Sequence, residues 1–171
     1  MAFLGATTAQ LLSHWLEIRK IDREKTARAR QVIRSMISDL DYASLFIFEA
    51  IEKIEKDNLQ IKPGRIGAIY HSFSNDYFST GNLISSGIYH RYSRPVGFAE
   101  SVSKMMTGHE EFYVTDEFIG EAKSWARYCS YLADALESIA DNTDGGNIID
   151  YADYDPTLIE ERMARGRRTK V

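Results

Sequence analysis

Two hexamers of nearly the same composition stand nineteen residues apart: IYHSFS at 69–74 and IYHRYS at 88–93. Each sets a histidine among tyrosine and serine hydroxyls. Histidine is the side chain whose ordinary pKa lies closest to neutrality, so it can both take and give a proton. Arginines stand close by: Arg65 lies six residues before His71 in RIGAIYH, and Arg91 follows His90. A guanidinium can steady charge developing on a phosphoryl group while an imidazole exchanges the proton. Arg65 and His71 are therefore a candidate catalytic pair for proton exchange beside a phosphoryl group.

The RIGAIYH stretch resembles the Arg-x(4–6)-His motif of HEPN-type helical ribonucleases. That resemblance spans seven residues. It implies a compact helical bundle and metal-independent cleavage of RNA, with Arg65 and His71 facing the scissile phosphate from one helix. The polar residue that commonly follows the arginine in that family is Ile66 here. The same hexamers also suit packing. At about 100° per residue, Ile69, Phe73 and Tyr77 share one helix face, and Ile88 and Tyr92 form a similar pair.

The sequence signatures of several other chemistries are missing. The four histidines are His14, His71, His90 and His109, and none has an acidic residue three positions earlier. The Glu-x-x-His pairs of di-iron bundles and the HExxH zinc motif are therefore missing, and one cysteine, Cys129, makes no thiolate zinc site. The glycine-rich signatures GxGxxG and GxxxxGK[ST] and the nucleophile elbow GxSxG are also absent. No metal and no cofactor are expected.

A basic run offers a second kind of site. Residues 19–34 hold seven basic and two acidic side chains. On one continuous helix Arg19, Arg23, Arg30 and Arg34 fall within roughly 60° of each other. Such a line can contact phosphates, an acidic partner face, or acidic helices of its own bundle. The tail carries Arg162, Arg165, Arg167, Arg168 and Lys170. The candidate partner- or phosphate-binding residues are thus Arg19, Arg23, Arg30, Arg34, His90, Arg91, Arg165, Arg167 and Arg168. The acidic stretch DNTDGGNIIDYADYD at 141–155 puts Ala152 where a calcium loop needs its bidentate glutamate, so it reads as a solvent loop.

What must position these groups is helical. Apolar residues recur at Ala29, Ile33, Met36, Leu40, Ala43, Ile47, Ala50 and Ile54, and again at Phe118, Ala122, Trp125, Cys129, Leu132, Leu136 and Ile139. Steps of four and three make a lengthwise helix seam. Thr115 is placed to cap the second helix, with Asp116 and Glu117 in its first turn. Leu11, Leu12, Trp15 and Leu16 suit a lead-in helix whose apolar phase predicts a break near Ile21. Pro95 is expected to open a helix, because proline fits a first turn. The fold class is all-α: an antiparallel helical bundle with two long helices, about 23–57 and 115–141, and a short-helix insert between them. Residues 1–150 form the bundle domain and 151–171 a C-terminal helix and basic tail.

With 171 residues, 44 % apolar and 27 % charged, the chain is globular rather than disordered. The start, MAFLGATTAQLLSHWLEIRK, has no basic region ahead of an apolar run and is not expected to act as a secretory signal. No stretch reaches the roughly 20 apolar residues that span a bilayer. A lone cysteine suits a reducing compartment, so a cytoplasmic location without membrane contact is expected. The function expected first is a non-enzymatic helical interaction or assembly subunit, binding itself and a protein or other acidic partner. The alternatives are the HEPN-like ribonuclease using Arg65 and His71, and a nucleic-acid-binding subunit using the basic helix and tail.

Overall fold

The computed structural model describes residues 3–61, 86–108, 112–141, 150–155 and 157. Three helices carry the fold: α1 (Phe3–Lys56), α2 (Ser86–Thr107) and α3 (Asp116–Ala140), with one 3-10 turn at Tyr151–Asp153. The expected all-α bundle is present. α1 packs most heavily on α3 and more lightly on α2, and α2 also touches α3. Glu55 of α1 bonds Lys123 of α3, Ser44 bonds Ala126 and Ser130, and Asp41 feels the charge of Glu137. Numbers fall along one helix as they rise along the other, so α1 and α3 are antiparallel.

α1 is one continuous helix of 54 residues, and the break expected near Ile21 does not occur. Between Ala6 and Lys56 there is neither glycine nor proline. With no breaker in this stretch, the change in direction of the apolar face near Ile21 does not interrupt the helix. The helix ends at Asn58 and Leu59, both left-handed, with φ of 57° and 62°. Leu59 N–H bonds back to Ile54 O at 2.9 Å, and Leu59 O accepts from Val114 N–H at 2.9 Å. This reversal sets Gln60–Ile61 (β1) antiparallel to Phe112–Tyr113 (β2), a two-residue ladder joining the end of α1 to the start of α3.

Pro95 does not open a helix; it lies inside α2. Tyr92, Val96, Ala99, Val102 and Met106 are all buried, so the packed face runs on across the proline. Burial on both sides outweighs the roughly 3 kcal/mol that an interior proline costs. In α3 the cap forms as the sequence predicts: the Thr115 hydroxyl accepts from Phe118 N–H at 3.2 Å. The core is built from both seams. Met36, Leu40, Ile47, Ile54, Cys129, Leu132 and Leu136 are fully buried, and Tyr128 and Ile61 join them.

Candidate functional site

Most residues of the phosphodiester-cleavage reading, Arg65 and His71 with the first hexamer, lie outside the described residues, as do Arg165, Arg167 and Arg168. The second hexamer lies in α2. His90 is exposed and Arg91 half-buried, while Tyr92 is buried and donates to the Asp39 carboxylate at 2.7 Å. Tyr92 is therefore a packing residue with a polar anchor, and Ile88 and Tyr89 lie against the same core. The second IYHRYS answers to packing on its tyrosine side and to solvent on its histidine side.

Around Tyr128 the structure assembles an aromatic cluster that sequence reasoning missed. Tyr151 stacks flat on Trp125, centroid to centroid 3.5 Å and 5° from parallel. Tyr128 meets Tyr151 and Tyr154 edge-on, at 5.4 and 5.2 Å, and Tyr131 and Phe98 extend the group. Asp150 caps the short 3-10 turn by accepting from Tyr151 N–H at 2.8 Å. The described end of the acidic stretch is thus a strap packed on α3, not the solvent loop expected. The usable signal was the pair Tyr151 and Tyr154, three residues apart and so on one side of a single turn.

Tyr128 and Cys129, both in the core, do not suit proton chemistry near neutrality. Burial, with help from the charge of Asp150, drives the Tyr128 phenol far above its ordinary range. Burial likewise pushes the Cys129 thiol up to about 12. A thiol held protonated is a poor nucleophile, and its fully covered position closes it to reagents. Among the described residues no group of three or more His, Cys, Asp or Glu could hold a metal ion. No described helix is long and apolar enough to cross a membrane.

The distinctive surface is the N-terminal half of α1. At 1.5 Å per residue α1 is about 81 Å long, whereas α3 with 25 residues is about 37 Å. The surplus projects as an arm on which every residue from Leu12 to Arg28 is exposed. Leu12 is 63 % exposed and Leu16 53 %, and Trp15, Ile18 and Ile21 stand open beside them. Arg19 lies over the Trp15 ring at 3.8 Å, a cation–π contact between residues one turn apart. Arg19, Arg23 and Arg30 line a shallow groove of about 460 Å³ with Asp22, Thr26 and Ala27. Arg30 Nε is buried there without a hydrogen-bond partner among the described residues, and Arg34 is exposed outside the groove lining. Three of the four arginines expected in a line thus share one feature. Comparison with protein-family models, with curated proteins and with solved structures returned no match.

Proposed function

We propose that this protein is a non-enzymatic helical assembly subunit whose projecting α1 arm binds another protein chain. The observation that supports it most is the arm, with five large apolar side chains open to solvent on a helix that nothing else covers among the described residues. A helix without tertiary packing is marginal in water, so an arm of this length gains its stability from a partner. Cys129 is the chain's one cysteine and is buried, which suits a reducing, cytoplasmic setting. Sedimentation equilibrium of the full chain tests the reading. The mass is expected to rise above 19.5 kDa with concentration, and a Leu12→Ser, Leu16→Ser, Ile18→Ser variant is expected to remain at 19.5 kDa. A wild-type chain that stays monomeric at high concentration overturns self-assembly.

The arginine groove supports a second reading, binding of nucleic acid through phosphates. That reading expects affinity to fall steeply between low and moderate salt, because phosphate contacts release counterions. The assembly reading expects no cleavage of single-stranded RNA; cleavage by the wild type that His71→Ala abolishes would replace it with the ribonuclease.

A further inference from the structure

The arm continues the bundle's own seam. Counting back from Ile33 in steps of four and three gives Ala29, Thr26, Asp22, Arg19, Trp15 and Leu12. Leu16 and Ile18 flank this line, so four of the five open apolar residues lie on or beside it, and only Ile21 points away. The line is not uniformly apolar: large residues sit at its outer end, small ones at its inner end, and a cation and an anion at the middle.

That order is complementary to its own reverse. If two arms lie antiparallel so that facing positions sum to 41, Leu12 meets Ala29 of the second copy, Trp15 meets Thr26, and Arg19 meets Asp22. The two-fold axis repeats each contact. Large packs on small at both ends, and two reciprocal ion pairs occupy the centre. A parallel pairing instead sets Arg19 on Arg19 and Asp22 on Asp22, with like charges facing at seam positions. The register sets Leu12 of the second copy at the edge of cover, since Ala29 is half-buried and Ile33 buried within the chain's own bundle.

We infer that the arm binds a second copy of this chain as an antiparallel two-helix seam over residues 12–29, held in register by Arg19–Asp22 pairs. This rests on the assembly reading and supplies its partner and geometry. A nucleic acid on the arginine groove, or a different protein on the apolar residues, is the competing occupant.

Cross-linking of the full chain decides it. The paired positions 12 and 29 touch, whereas two copies of position 12 lie about 26 Å apart along an antiparallel seam. Under mild oxidation, Leu12→Cys and Ala29→Cys variants are each expected to stay uncross-linked alone and to form a disulfide dimer when mixed. Circular dichroism confirms that each remains folded. In sedimentation, Arg19→Glu is expected to weaken the dimer by about tenfold or more, and Arg19→Glu with Asp22→Arg to restore most of it. Cross-linking by either variant alone, or a dimer whose mixed variants do not cross-link, overturns the geometry while leaving assembly standing. A chain that is monomeric throughout overturns both.

Discussion

Buried polar residues in this protein act as pins between helices. Tyr92 and Asp39, both buried, join α2 to α1 through one 2.7 Å hydrogen bond. Tyr92→Phe keeps the ring and deletes the donor, so the carboxylate loses one of its partners in a place water does not replace. The expected cost is about 1–3 kcal/mol, read as a lower urea midpoint with unchanged slope. Asp41 supplies a pH-dependent term. Asp41 is exposed, but partial desolvation first, and the Glu137 charge second, hold its carboxyl above the ordinary 3.8. The native state therefore binds that proton more readily than the unfolded chain. Its contribution is fully present below pH 3.8 and is lost as pH rises through the raised value. Asp41→Asn removes this slope. The variant is expected to exceed wild type in stability at pH 7 and to lose that advantage on acidification, in urea unfolding at both pH values.

The end of α1 and the starts of α3 and the 3-10 turn each have a stop or cap that can be named, and the aromatic strap is the feature most open to test. Tyr151 covers Trp125, which is 9 % exposed, while the chain's other tryptophan, Trp15, stands on the arm. In a Trp15→Phe background the emission reports Trp125 alone. Tyr151→Ala is expected to shift that emission to the red and to cost about 1–2 kcal/mol, since it removes a stacked ring and part of the cover over Tyr128. An unchanged spectrum would show that Tyr151 does not shelter Trp125 in solution. The reversal at Asn58 and Leu59 acts differently, by geometry. Two left-handed residues turn the chain so that β1 meets β2, and this short ladder sets where α3 starts against α1.

At the scale of the whole molecule, the mismatch in helix length governs behaviour. α1 carries its inner half on a three-helix core and its outer half on nothing described. Because an unpacked helix lies near the edge of stability, its helicity depends on whatever covers it. Far-UV circular dichroism per residue is therefore expected to fall on dilution through the assembly midpoint, and then to level at the value of the core. Helicity independent of concentration across the range where mass changes would separate arm folding from assembly.

The sequence determined the two long seams and the α3 cap, though not the run of α1 through Ile21 or the place of Pro95 inside α2. A seam repeat from Ala29 to Ile54, another from Phe118 to Ile139, and a cap at Thr115 are each written within a few turns of chain, where helix chemistry is local. It also determined the candidates, Arg19 to Arg34 among them, by residue type and spacing. What it did not determine is which surfaces are covered. Leu12, Trp15 and Leu16 carry the same apolar signature as core residues, and their exposure follows from α3 being less than half as long as α1. Tyr151 and Tyr154 look like loop residues until the chain folds back on Trp125 and Tyr128. Burial depends on what lies across from a residue, and residues far apart in the chain meet only once helix lengths and directions are fixed.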